Sequence, residues 1–200
     1  MKLGVLNFEL QKALEVSRNL GLLQSYLPWV QKRAVQTLRR RLPVEARRDI
    51  QAEYDIQAAR VRQDIGTREI PDGLRLTGYF RGIGLRNFRA RQTRRGVTAA
   101  PFRGRRTLRE GSFFAGLNSG NKQVVRREGP KRKMTAGRYI GQMRQPLVVE
   151  YGPSVAQMLR KGRRPERLAD YAAGVLRSEV ERLLAYYEGG RPLPTIGELK

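Results

Sequence analysis

Two hundred residues carry 41 Lys+Arg against 18 Asp+Glu, a formal net charge of +23, with no Cys and no His. Those two absences exclude zinc fingers, cysteine-ligated clusters, cysteine nucleophiles, Ser-His-Asp triads, histidine general bases and a disulfide framework. A hydrophobic fraction of 40% is ordinary globular usage, enough for a buried core in one domain or two small ones.

Glu9, Gln11 and Lys12 interrupt the N-terminal apolar residues too early for a secretory signal, and no stretch approaches the roughly 20 apolar residues of a bilayer span. A protein made in a cytoplasm, with no membrane partner, is expected. So positive a balance makes a polyanion the leading partner, either nucleic acid or an acidic protein surface.

The first 70 residues read as helix. Leu3, Leu6, Leu10, Ala13, Val16 and Leu20 recur at three- and four-residue steps, and Gly21 breaks the stripe. Pro28 suits the first turn of a second helix with Val30, Ala34, Leu38 and Leu42 on its buried face. Pro43 is expected to end or kink it and to open a third, carrying Ile50, Tyr54, Ala58, Val61 and Ile65. Gly66 and Pro71 to Gly73 close this zone. Its acids Glu45, Asp49, Glu53 and Asp64 read as surface pairs with Arg48 or Arg60.

Beyond it the texture changes to β. Leu74 to Phe80, Val97 to Ala100, Ser112 to Ala115 and Gln123 to Val125 are strand candidates, and Asn118-Ser119-Gly120-Asn121 predicts a hairpin between the last two. Pro146 to Tyr151, with its β-branched residues, predicts the strongest strand. Arg164 to Glu188 returns to helix with a stripe of Leu168, Tyr171, Val175, Leu176, Leu183 and Tyr186 around one charge, Glu179, and Gly189-Gly190 stops it. That stripe is expected to pack on the N-terminal helices or on a neighbouring subunit.

The expected fold class is α+β, with N-terminal helices, a central small antiparallel β-sheet or barrel-like module, and a long C-terminal helix. Its limits fall at 1–70 for the helical region, 71–163 for the basic β-rich module, 164–190 for the C-terminal helix and 191–200 for a tail.

Between residues 86 and 145 stand 17 Lys or Arg against two acids, Glu110 and Glu128. Arg91, Arg94, Arg95, Arg103, Arg105, Arg106, Arg109, Arg126, Arg127, Lys131, Arg132 and Lys133 are the candidate contacts. Three readings stay open: arginine forks on phosphates, pairing with acidic neighbours in an assembly, and plainly solvated loops. Other motifs are weak. Gly78 to Gly84 lacks the G-x-G-x-x-G order of a dinucleotide loop, Ser154 and Lys161 form no convincing nucleophile pair, and the basic zone has too few carboxylates for a two-metal nuclease. No catalytic residue, metal or cofactor is expected.

Three segments carry a resemblance. Ala90-Arg91-Gln92-Thr93-Arg94-Arg95-Gly96-Val97 is followed by Gly111-Ser112-Phe113-Phe114-Ala115 with the basic hairpin to Arg127, and then by Gln145 to Leu159, which contains Gly152-Pro153-Ser154-Val155-Ala156-Gln157-Met158. This series resembles the prophage minor tail protein Z family of long-tailed bacteriophages over roughly residues 25 to 188. Gly152, Pro153, Ser154, Val155, Gln157 and Met158 are its most specific part, read as a strand exit with Gly152 at positive φ and Ser154 capping a helix. Pro43 and the insert 131–142 depart from the family pattern.

The resemblance implies a structural virion protein, made in the host cytoplasm and placed in the neck region of the tail. It implies a minor tail, or tail-completion, role in viral tail assembly and head–tail joining. Such a protein would form a homo-oligomeric ring around the DNA channel, in contact with the tail terminator, the head connector or neck proteins, and genomic DNA. The alternative is a non-catalytic basic nucleic-acid-binding protein.

Overall fold

The computed structural model describes residues 4–9, 27–71, 73–117 and 120–188. Its first element corrects the first expectation, because Gly4–Glu9 is a strand, β1, and not part of a helix. It lies antiparallel along β3 (Gly73–Gly78), which pairs on its other side with β2 (Ile65–Ile70) in the order β1-β3-β2. Gly78 stands opposite Gly4 on one side and Ile65 on the other. The reason is tertiary. Leu74 and Leu76 of β3 are fully buried, and without β1 a row of peptide groups beside that core would lack partners. The rest of the expected first stripe, Leu3 and Leu10 to Gly21, lies outside the described residues.

Helix α1 (Leu27–Glu53) buries Val30, Ala34, Leu38 and Leu42 as expected but runs on through Pro43. An internal proline costs roughly 3 kcal/mol. Leu42, Ala46 and Ile50 are each 0% exposed, and a large apolar side chain contributes roughly 1.5–3 kcal/mol when fully buried, so continuing the helix wins.

The helix stops where strand β6 (Gly96–Phe102) captures the chain. Tyr54 bridges Phe102, the Asp55 amide donates to the Pro101 carbonyl at 3.2 Å, and the Arg103 amide donates to the Glu53 carbonyl at 2.8 Å. Of the expected third helix, the part from Pro43 to Glu53, with Ile50, is the end of α1, a second part is the separate α2 (Ala58–Gln63), and Ile65 already belongs to β2. The region 1–70 is therefore not wholly helical, and its sheet continues past residue 71.

The central module consists of small antiparallel sheets. Strands β5 (Arg91–Thr93), β6 and β7 (Arg105–Glu110) form one in that order. Strand β7 was not anticipated, since Leu108 is its one large apolar residue. Strands β8 (Phe113–Gly116) and β9 (Lys122–Arg127) form the expected hairpin.

The expected strand from Pro146 to Tyr151 divides in two. Strand β12 (Leu147–Val149) joins β9, whereas β13 (Tyr151–Gly152) pairs with β4 (Ile83–Gly84). Glu150 makes the switch: its amide donates to the Val124 carbonyl and its carbonyl accepts from the Leu85 amide, both at 2.9 Å. A separate two-stranded arm, β10 (Arg132–Lys133) with β11 (Met143–Arg144), pairs with no other described strand.

A short helix, α3 (Val155–Arg160), leads into α4 (Arg164–Glu188), which packs along α1. Leu168, Val175, Leu176 and Leu183 are buried as expected, while Tyr171 is half-buried and Tyr186 exposed. Glu179, the charge within the stripe, accepts the Thr37 hydroxyl at 3.1 Å and an Arg182 N–H at 2.8 Å. One contiguous core runs from Trp29 through Leu74, Phe88, Val97, Val124 and Met158 to Leu183, so helices and sheets share it. Gly189, Gly190 and 191–200 lie outside the described residues.

Candidate functional site

The signature segment has an architectural part to play. Gly152 does not have the positive φ expected of it, which occurs at other glycines. Its need is for space: a Cβ would lie 2.4 Å from Cε2 of Phe88, a fully buried ring. Pro153 follows, and Ser154 caps α3 in a reciprocal box. Ser154 Oγ accepts the Gln157 amide at 3.3 Å, and Gln157 Oε1 accepts the Ser154 amide at 2.8 Å. Val155 and Met158 are buried. Ser154 and Lys161 do not form a pair, since Lys161 Nζ bonds Glu53.

Behind this turn lies a charge cluster that was not anticipated. Arg164 is 1% exposed at the start of α4. Its Nη1 donates to the Met158 carbonyl, and its Nη2 donates to Glu53 Oε2 at 2.9 Å and to the Asp49 carbonyl at 3.3 Å. Arg167 grips Asp49 in two-pronged fashion, at 2.6 Å to Oδ1 and 3.2 Å to Oδ2. Lys161 Nζ also sits 4.3 Å from the Phe102 ring centre.

The hydrogen bond from Lys161, aided by Arg164, holds the Glu53 carboxyl below its ordinary range, and the same contact raises Lys161. Burial raises Tyr54. Three bases thus surround the C-terminal turn of α1, where the helix dipole favours them. Asp49 and Glu53 are inter-element partners, not the surface pairs expected; Arg48 pairs with Glu45 at the surface as expected, and Arg60 pairs with Asp64, but there the carboxylate is buried.

The twelve candidate cations divide among three places. Arg91, Arg94, Arg95, Arg103, Arg105, Arg106 and Arg109 all lie on or beside the sheet β5-β6-β7, and all are exposed. The register pairs Arg91 with Thr98 and Thr98 with Leu108, while Val97 pairs with Arg109. Alternation therefore sends arginines from both faces of the edge strand β7. Arg95 pairs with Glu110, and Arg106 is held by the Arg89 carbonyl at 3.0 Å and Thr98 Oγ1 at 3.2 Å. Arg91, Arg94, Arg103, Arg105 and Arg109 have no acidic partner among the described residues.

The other five are not part of that sheet. Arg126 is committed to Glu128 at 2.9 Å and Glu150 at 2.8 Å, and Arg127 donates to the Gln145 carbonyl at 3.2 Å. Lys131, Arg132 and Lys133 are exposed on the two-stranded arm. That arm also exposes Tyr139, Ile140 (65%) and Met143 (62%), with Arg144 stacked 3.7 Å over the Tyr139 ring. The Arg144 hydrogen bond, with the nearby Arg138 charge, draws the Tyr139 hydroxyl below its ordinary value.

Chemically, unpaired guanidinium forks on an edge strand can bind oxyanions in two-pronged fashion and also keep that edge from pairing with another strand. Among the described residues, no group of three or more acidic, His or Cys side chains is placed to hold a metal ion. Compared with family models, with curated proteins and with solved structures, the chain gives no match.

Proposed function

We propose that the chain is a structural virion protein of a long-tailed bacteriophage, a minor tail protein that completes the head-proximal end of the tail and helps to join tail to head around the DNA channel. The observation that carries the reading is the arginine edge of β7, whose Arg105 and Arg109, with Arg103 in the turn before the strand, face solvent without an acidic partner among the described residues. A virion neck offers two counterparts for it, the phosphates of the genome and acidic neighbours in the ring. The exposed apolar residues of the arm, Ile140 in its loop and Met143 on β11, suit contact with a second copy or a neck protein. The resemblance of residues 90–97, 111–127 and 145–159 to the minor tail protein Z family supports the same role.

A phage lacking this chain should accumulate filled heads and unjoined tails, and the purified protein should restore joined particles under the electron microscope. Joined particles formed without it, or purified virions that do not contain it, would overturn the reading. The same arginine edge favours a second reading, a non-catalytic nucleic-acid-binding protein. That reading requires the chain to partition with cellular nucleic acid and not with particles.

A further inference from the structure

A cleft of about 960 Å³ opens between the end of α1, α2, the turn after β4 and the start of β9. It lies at the large end of the roughly 300–1,000 Å³ usual for ligand clefts. Arg60, Arg86, Arg89 and Arg103 line it against a single acid, Asp55. Asp55 is bound to Arg89 Nε at 2.8 Å, Arg60 is engaged by Asp64 at 2.7 Å, and Arg86 uses one N–H on the Lys122 carbonyl at 2.9 Å. Arg103 has no acidic partner among the described residues, and Arg86 and Arg89 each keep N–H groups that these contacts do not use.

Arg89 also has φ +46°, the one positive value at a non-glycine residue among those described. Its carbonyl is pinned by Arg106 and its neighbour Phe88 accepts the Ala100 amide, so the surroundings enforce a backbone that a side-chain-bearing residue rarely adopts. The remaining lining is amide-rich. Gln57, Gln63 and Asn121 make no side-chain hydrogen bond among the described residues, and Gln123 Oε1 is buried without a partner.

We propose that this cleft docks an extended acidic peptide segment of a partner protein. Its carboxylates pair with Arg86, Arg89 and Arg103, and its backbone hydrogen-bonds with Gln57, Gln63 and Asn121. Three features select a peptide over nucleic acid. Amide side chains both donate and accept, which matches a peptide backbone, whereas a phosphodiester backbone only accepts. No aromatic side chain lines the cleft, although single-stranded nucleic acid is ordinarily gripped by stacking on such rings. A duplex presents its phosphates on a convex rod, which suits the β7 edge and not a concavity. The inference does not depend on a role in the virion.

The test is fluorescence anisotropy with a labelled hexaglutamate peptide, and a labelled ten-nucleotide oligo-dT as rival, at moderate salt. Arg86→Gln with Arg103→Gln should weaken peptide binding at least tenfold. Arg105→Gln with Arg109→Gln, an equal change of charge on the β7 edge, should alter it less than twofold. Gln57→Ala with Asn121→Ala, which leaves the charge untouched, should weaken it several-fold. If the first pair melts early, Arg103→Gln alone, at an exposed side chain, should still weaken binding at least threefold. Equal losses from the two arginine pairs, no effect of the amide pair, no peptide binding by the wild type, or tighter oligo-dT binding that is lost with the cleft variants would each overturn the proposal.

Discussion

Gly152→Ala tests whether the signature turn is constrained by space or by backbone conformation. A methyl carbon there would meet Cε2, Cδ2 and Cζ of Phe88 at 2.4, 3.0 and 3.1 Å. Relaxed carbon–carbon contacts lie near about 3.5–4.0 Å, so the ring must retreat by roughly 1 Å. Phe88 is 0% exposed and part of the common core, so it has nowhere open to go. Overpacking of this kind costs about 1–3 kcal/mol, and the closest approach places Gly152→Ala in the upper half of that range. For a chain of this size that corresponds to a loss of roughly 4–12 °C in Tm.

Urea unfolding and calorimetry of the single variants and of the double variant with Phe88→Leu supply the assay. Leucine lacks the ring atoms that collide, so the Gly152→Ala penalty should shrink in that background, with a coupling of about 1–2 kcal/mol. A wild-type Tm for Gly152→Ala, or the same penalty in both backgrounds, would refute the steric argument.

Arg164→Met keeps most of the side-chain volume but removes the guanidinium that bonds Met158, Glu53 and Asp49. Asp49 retains Arg167 and Glu53 retains Lys161, so the expected loss is about 2–3 kcal/mol and not the larger cost of an orphaned buried charge; an unchanged urea midpoint would contradict it. The carboxyls of Glu53 and Glu179 are both held below the ordinary value of 4.5, the first chiefly by Lys161 and the second by Arg182 and Thr37. A depressed folded-state value stabilises fully above the unfolded one and is lost as pH falls through the folded one, so Tm should drop on acidification below about pH 4.5. Glu179→Gln should lower Tm near neutrality and flatten that acid limb, and an acid limb as steep as wild type would count against the assignment.

Changing Arg103, Arg105, Arg106 and Arg109 to Gln together should weaken non-specific duplex DNA binding and reduce its salt slope, each lost phosphate contact being worth about 0.9 in log–log units. Retained slope and affinity would assign the run to a protein surface.

Residues 164–188 were legible as a helix because the apolar stripe from Leu168 to Leu183 keeps one period over many turns, too long for a strand to share. The β8–β9 hairpin was legible because turn residues separate two short apolar runs. Ser154 announced a cap because serine after Gly152-Pro153 suits the exit from a strand into a helical turn, and the structure adds Gln157 as its reciprocal partner. The crowding of cations into residues 86–145 is a matter of counting. Short segments were not legible. Residues 4–9 satisfy a helical and an extended pattern about equally, and their strand exists because β3, far along the chain, presents an unpaired side. Ile65 to Ile70 is likewise a strand through its partner.

The chain by itself determined the α+β class, the long C-terminal helix, the helical cap after Gly152 and the basic character of the β module, since each depends on neighbours within a few residues. Only the tertiary structure decided the rest. Pro43 stays inside a helix because the core on both sides of it rewards continuity. Arg164 is buried because Glu53, 111 positions away, comes to meet it. Arg103 lines a cleft with Arg60 and Arg86 because β6 captures the chain at Tyr54 and draws those elements together. Contacts between residues so distant in sequence leave no periodic trace, because it is the shared core, and not local spacing, that brings them together.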